Sequence, residues 1–290
     1  MKKHLKEVYG FNNFRHKQKN IICDLIKKKN IIAILPTGGG KSLLYQYPAT
    51  FTNKITIVVS PLISLMNDQC RHLNLKNIKA VSLNSETFVP VNEYKNYKII
   101  YTTPEFIMSR MPAFNLIKDK IALFAIDEAH CVSQWSHDFR TSYQNLGMLK
   151  TKFPDIPMLA VTATATPNVL KEMKTFLNMA NAEEYSLGTR RTNLNIKVLP
   201  KSEFKNCIIN EPTIIYVQTR KLCEKLHNDF INKGIASAFY HGGMEKAEKN
   251  KSHELFMSDK IKVIVATISF GMGIDKSDIR HVINYGVPAN

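Results

Sequence analysis

The run Leu35-Pro36-Thr37-Gly38-Gly39-Gly40-Lys41-Ser42 limits what this chain can fold into more than any other stretch. It follows an apolar, strand-like run at 31–35 and opens a helix, which makes it a glycine-rich turn leaving a buried strand. Glycines allow backbone N–H groups to curl round phosphate oxygens, and the helix N-terminus adds partial positive charge. Read this way, Thr37, Gly38, Gly39 and Gly40 cradle the phosphates of ATP, Lys41 reaches the β- and γ-phosphates, and the Ser42 hydroxyl ligates Mg2+. The spacing departs from the strict pattern, because Leu35 stands where its first glycine would be. A glycine-rich turn that happens to precede a lysine is the bland alternative.

The surroundings of that turn favour an α/β chain. Short Ile- and Val-rich runs recur at 31–35, 55–59, 98–101, 123–126 and 158–161, with amphipathic stretches at 17–28, 62–73 and 167–177. Buried strands alternating with helices imply a mostly parallel sheet. The pattern breaks around 188–205, a basic stretch with Arg190, Arg191, Lys197, Lys201 and Lys205 that also holds Pro200. Strand-like runs resume at 213–217, 236–239, 261–265 and 282–285, with helical patterning at 221–232 and 245–257. The expected organisation is one α/β domain over 1–187, a linker over 188–211, and a second, incomplete α/β domain over 212–290.

A second element strengthens the phosphate reading. The apolar run 123–126 ends in Asp127-Glu128-Ala129-His130. Ligands of parallel sheets bind at the carboxyl ends of strands, the same edge as the glycine-rich turn. Asp127 placed there holds Mg2+, and Glu128 orients or deprotonates an attacking water. The third run, 158–161, ends in Thr162-Ala163-Thr164-Ala165-Thr166, whose hydroxyls are placed either to bond His130 or simply to finish a strand.

Composition narrows the partners. Forty Lys and Arg against 24 Asp and Glu leave a formal net charge of +16, which favours nucleic acid or, less often, an anionic membrane face. The five cysteines form no CxxC pair and have no histidines at zinc spacing, so reduced thiols and no zinc site are expected. No signal-peptide-like apolar stretch follows the basic N-terminus, and the uncharged run 156–170 falls short of the ~18 apolar residues of a membrane span. A soluble intracellular protein is expected, with nucleus, cytoplasm and viral factory left open.

With these residues in view, the chain resembles superfamily-two helicases and, within them, the RecQ family, over roughly 9–288. Residues 9–18, with Phe14, Arg15 and Gln18, resemble the family's adenine-recognition segment, in which a Gln amide pairs with adenine. Residues 59–66 and 102–105, with Ser60, Pro61 and Thr103, resemble segments that grip a single strand. The stretch after His130, Cys131-Val132-Ser133-Gln134-Trp135-Ser136-His137-Asp138-Phe139-Arg140, resembles the aromatic-rich loop particular to RecQ enzymes. The resemblance implies base stacking by Trp135 and Phe139 and a phosphate or domain contact by Arg140. Read alone, the chain's single tryptophan would be a core residue. Residues 240–244 and 266–276 resemble second-domain motifs, which implies that His241 and Thr267 touch DNA and that Gly273 and Asp275 face ATP.

The resemblance further implies two RecA-like domains with ATP and Mg2+ between them, and 3′-to-5′ movement on single-stranded DNA with unwinding at duplex junctions, in repair or recombination. Protein partners stay unknown. His16-Lys17 replaces a Pro-Gly usual in the adenine segment, and Ser136 replaces a glycine of the aromatic loop. The sequence ends before the family's arginine-finger motif would begin, so both a fragment and a chain without full motor activity are open. The rival readings are a non-catalytic, ATP-gated DNA-binding module and a DEAH-box RNA helicase.

Overall fold

The computed structural model describes residues 1–87, 89–136, 138–188, 193–206, 210–271, 276 and 278–287. Two compact units divide between Asn193 and Leu194, within the stretch expected to link two domains.

The first unit is a seven-stranded sheet: β1 (Ile31–Ile34), β2 (Ile55–Val59), β3 (Ala80–Leu83), β4 (Ile99–Thr102), β5 (Ile121–Ile126), β6 (Met158–Thr162) and β7 (Glu183–Ser186). All pairings are parallel, and the order is β3-β4-β2-β5-β6-β1-β7. Successive side chains of a strand face opposite sides, and the sequence is apolar on both. Ile32, Ile57, Ile100, Phe124 and Ala160 therefore join one buried cluster, while Ile31, Ala33, Val58, Tyr101, Ala125 and Val161 join the other. The helices that matter for the site are α1 (Gln18–Ile26), α2 (Lys41–Thr52), α3 (Ile63–Leu75), α4 (Pro104–Ser109) and α5 (Pro167–Phe176).

Strand order positions the site. β1, β6, β5 and β2 are successive neighbours, so the segments leaving their carboxyl ends share one edge. Backbone bonds hold them in register past the strands: Leu35 donates to the Thr162 carbonyl at 3.0 Å, and Asp127 donates to the Val59 carbonyl at 2.8 Å.

The second unit has a four-stranded parallel sheet, β11-β8-β10-β9, made of β8 (Thr213–Tyr216), β9 (Ser237–Tyr240), β10 (Val263–Ala266) and β11 (His281–Asn284). Helices α6 (Arg220–Asn232) and α7 (Lys246–Met257) follow β8 and β9. Two small apolar clusters, one around Phe256 and Phe270 and one around Cys223 and Phe230, form its core.

Candidate active site

The glycine-rich turn takes the conformation that its composition demands. Gly38 and Gly40 have φ of 78° and 76°, a region that residues with a Cβ rarely occupy. At Gly39 a Cβ would sit 2.8 Å from the Pro36 carbonyl oxygen, so the turn closes only around a bare backbone. Gly40 is the N-cap of α2 and has no side chain to occupy the first amides of the helix, which leaves them to an outside anion. Lys41 and Ser42 are the first two residues of that helix.

Asp127 sits at the end of β5, only 7% exposed. Burial first, and the neighbouring Glu128 second, push its carboxyl up to about 6; Lys41, the Glu128 N–H and Tyr45 act in the opposite direction. The Glu128 amide donates to Asp127 Oδ1 at 2.9 Å, and the Tyr45 hydroxyl donates to Oδ2 at 3.5 Å. Tyr143 donates to the Asp127 carbonyl at 3.0 Å. Glu128 has φ 47° and ψ 45°, left-handed backbone that costs a non-glycine residue of order 1–3 kcal/mol. Strain of this kind is held only where surrounding contacts demand it, here by Asp127 on one side and the buried turn 129–132 on the other.

His130 lies 2.8 Å from the Thr162 hydroxyl through Nδ1, with Glu128 at 3.4 Å from the same nitrogen and Asp138 at 3.6 Å from Nε2. Thr162 donates its own proton to the Thr164 carbonyl at 2.9 Å, so it accepts from His130, and Nδ1 carries the hydrogen. The carboxylate pair of β5 is thereby tied to the end of β6.

Two donor groups suit a divalent cation. The Ser42 hydroxyl and the Asp127 carboxylate are hard oxygen ligands; Asp127 accepts from Tyr45, which lies one turn after Ser42 on α2. One carboxylate and one hydroxyl beside a phosphate-binding turn fit Mg2+, which retains waters and takes few protein ligands.

Gln18 is 2% exposed and already engaged: its Oε1 accepts from the Arg15 amide at 2.8 Å and its Nε2 donates to the Gly40 carbonyl at 3.1 Å. One N–H and one lone pair remain for a base. Phe14 packs edge-on against Tyr47, with ring centroids 5.3 Å apart. Ser60 and Pro61 are buried, and the Ser60 hydroxyl has no hydrogen-bond partner. Thr103 caps α4, accepting from the Phe106 amide at 3.3 Å.

In the aromatic loop Trp135 stands 69% exposed, while its backbone is fixed by the Ser133 hydroxyl at 3.1 Å. Gln134 donates from its backbone to Glu172 on α5 at 3.1 Å. Phe139 is half-buried, and the Arg140 guanidinium donates to the Pro61 carbonyl at 3.0 Å, joining this loop to the segment that follows β2. His137 lies outside the described residues.

In the second unit His241 and Thr267 leave adjacent strands, and Thr267 donates from its backbone to the Tyr240 carbonyl at 3.1 Å. His241 is buried, its Nε2 3.0 Å from Glu224. The Arg220 side chain lies against Gly243, where a Cβ would meet its guanidinium at 2.8 Å. Gly273 and Asp275 lie outside the described residues.

Tyr45, Tyr101 and Tyr143, which surround Asp127, were not singled out from sequence. The available signal was the i, i+3 spacing of Ser42 and Tyr45, which places a polar tip beside the turn on one helix face.

Known proteins agree with this architecture. The DEAD/DEAH box helicase family matches residues 15–173, and the helicase conserved C-terminal domain matches 197–290. The ATP-dependent DNA helicase RecQ of Haemophilus influenzae is 38% identical over 98% of this chain and 48% of its own length. The ATP-dependent helicase wrn-1 of Caenorhabditis elegans is 39% identical over 99% of this chain and 29% of its own. The chain thus spans half or less of these relatives. In fold it is similar to the helicase Lhr of Mycobacterium smegmatis, solved bound to ssDNA and AMP-PNP, with a TM-score of 0.72 and 19% identity over 95% of this chain and 42% of that one. A matched model that covers the phosphate turn, the Asp127–Glu128 pair and the aromatic loop together decides the family: this chain belongs to the DEAD/DEAH box helicases, and RecQ-type DNA helicases are among its relatives.

Proposed function

We propose that this chain is the motor part of an ATP-dependent DNA helicase of RecQ type, which couples ATP hydrolysis to movement on single-stranded DNA. The carrying observation is the convergence on one sheet edge of Lys41 and Ser42 with Asp127, Glu128 and the His130–Thr162 bond. Lys41 holds the β- and γ-phosphates, and Glu128 takes the proton of the attacking water. Ser42 and Asp127 would hold Mg2+, which would neutralise charge on the phosphate oxygens. Gln18 checks the base and reports to Gly40 through the bond that already joins them.

The exposed Trp135, on a loop that begins directly after His130, gives a base a stacking face close to the hydrolytic groups. The likeness to RecQ enzymes supports movement from 3′ to 5′ with opening of duplex junctions, and roles for Thr103, His241 and Thr267 along the strand.

ATP hydrolysis with and without single-stranded DNA, beside the variant Lys41→Ala, tests the reading. DNA-stimulated turnover that falls by about 10²-fold or more in the variant is expected. Turnover that survives the substitution would sink the assignment. Tight, ATP-modulated DNA binding without turnover would replace it with a gated binding module, and stimulation by RNA in preference to DNA would move the substrate class.

A further inference from the structure

A line of polar side chains crosses the apolar core of the first unit. On α3, Gln69 Oε1 accepts from Gln46 Nε2 of α2 at 3.1 Å. The same Gln46 nitrogen donates to the Tyr101 hydroxyl, near the end of β4, at 3.3 Å. The Tyr101 ring meets the Tyr45 ring edge-to-face, with centroids 6.3 Å apart and planes at 84°. The Tyr45 hydroxyl donates to Asp127 Oδ2 at 3.5 Å, and Tyr45 lies one turn after Ser42 on α2. Both tyrosines are 1% exposed, and Gln46 is buried.

Phenylalanine would fill both ring positions without burying a hydroxyl, so packing alone does not account for these groups. Their ends are informative. One end is the pair of groups suited to Mg2+. The other lies on α3, which begins within residues 59–66, and on β4, which runs into residues 102–105. These are the two segments read above as strand-gripping.

The middle couples the two ends. Gln46 has two amide hydrogens, one for the Tyr101 oxygen and one for Gln69, so α2, α3 and β4 are tied together at this point. Tyr45 gives its one phenolic proton to Asp127 Oδ2 while its ring leans on that of Tyr101. A small shift of α3 or β4 therefore moves the Tyr101 ring and, with it, the Tyr45 hydroxyl at Asp127.

We propose that Tyr45 and Tyr101 form a buried positioning relay that sets Ser42 and Asp127 for Mg2+ according to whether single-stranded DNA occupies the segments beside α3 and β4. The relay rests on the helicase reading above. It makes Tyr45 and Tyr101 positioning residues, since neither is placed to touch nucleotide or DNA.

The test follows binding of a fluorescent ATP analogue to the full chain as Mg2+ is titrated, with and without an oligo-dT strand. Wild type, Tyr45→Phe, Tyr101→Phe and Lys41→Ala are compared, with thermal midpoints measured for each. In wild type the strand is expected to lower half-saturating Mg2+ about fivefold or more. Tyr45→Phe is expected to raise half-saturating Mg2+ about tenfold, the usual scale for losing a partner of a metal ligand. Tyr101→Phe retains the Tyr45–Asp127 bond and is expected to lose the response to the strand.

A Tyr45→Phe variant with wild-type Mg2+ dependence, or a wild type in which the strand leaves that dependence unmoved, overturns the relay while the helicase reading stands. Should Tyr45→Phe fold poorly, a Tyr101→Phe variant that still responds to the strand overturns the relay by itself. Nucleotide binding that is absent in wild type, or unchanged by Lys41→Ala, brings down both.

Discussion

The two units use the same strand–helix grammar to different depth. In the first, four strands separate β3 from the β1–β7 edge, and apolar clusters cover both faces of the sheet. In the second, four strands carry two small clusters, and the edge strand β11 leaves Val282 58% exposed. Their edges differ in kind as well. The first sheet closes on Glu183 and Glu184, paired with Lys29 and Lys174, and charge on an edge discourages further pairing. The second closes on the His281-Val282 stretch, where His281 faces Glu211 at 3.4 Å but Val282 stands exposed.

The difference extends to the functional groups. Asp127 is held in the interior by hydrogen bonds from a tyrosine and a backbone amide, whereas His241 of the second unit is bonded to Glu224, a half-exposed surface carboxylate. A carboxylate raised by burial needs a thick scaffold, because its charge is costly until a cation arrives. The strand contact proposed for His241 needs only a firm edge.

The largest effect should come from removing that buried charge. Asp127→Asn is expected to lower ATP turnover by about 10²-fold or more while making the metal-free first unit more stable at neutral pH. The sign follows from linkage. The folded protein holds the Asp127 carboxyl near 6, above its ordinary value near 3.9, so the fold favours the protonated form. That favourable contribution is complete below about pH 4 and is lost as pH rises through about 6. The gap corresponds to roughly 2–3 kcal/mol, so wild type should lose stability relative to the variant by about that much between the two pH values. Urea melts of both proteins at pH 4 and pH 7.5, with chelator present, measure it. Parallel stability at both pH values would mean that the carboxylate is better solvated than its burial implies, and the contrast between the units would weaken.

Much of this contrast was legible in the sequence, and the misses have physical causes. The apolar runs at 55–59 and 158–161 became β2 and β6 almost residue for residue, because central parallel strands need both faces apolar. β7 went unread since Glu-Glu-Tyr-Ser carries no apolar pattern; an edge strand with exposed side chains needs none. β3 went unread because its Ala-Val-Ser-Leu, preceded by Lys79 and broken by Ser82, offers no continuous run of Ile and Val. Asp127 and Glu128 were readable as a motif, but the left-handed backbone at Glu128 was not, because glutamate advertises no positive φ. Tyr45 was hidden for another reason. A tyrosine in an apolar helix looks like core until the sheet brings Tyr101 to its ring and Asp127 to its hydroxyl.

Trp135 sharpens the comparison from the surface. A tryptophan that stands mostly in solvent adds little to stability, so in the better-packed unit its exposure argues for a ligand. Trp135→Ala should weaken binding of a single strand by about 1–3 kcal/mol, roughly 5- to 150-fold, and leave the thermal midpoint in place. The salt dependence of binding should retain its slope, because stacking releases no counterions. Fluorescence anisotropy at two or more salt concentrations separates these terms. A fall in melting temperature without a change in affinity would return the residue to a packing role.

The smallest effect compares the units on equal chemistry. Thr166 caps α5 in the first unit, its hydroxyl accepting from the Val169 amide at 3.4 Å, and Thr219 caps α6 in the second, accepting from the Leu222 amide at 3.2 Å. Each loss to alanine costs about 1 kcal/mol on general grounds. Each unit has its own apolar clusters, so that cost should appear where the cap resides. Hydrogen exchange resolves it: Thr219→Ala should speed exchange about fivefold in β8 and β10 and spare β1, β5 and β6, with the reverse for Thr166→Ala. Because the second unit buries less apolar surface, its strands should exchange faster than the first unit's before any substitution. If one capping variant speeds both sheets equally, the two units open as a single cooperative structure, and the depth contrast describes packing alone rather than stability.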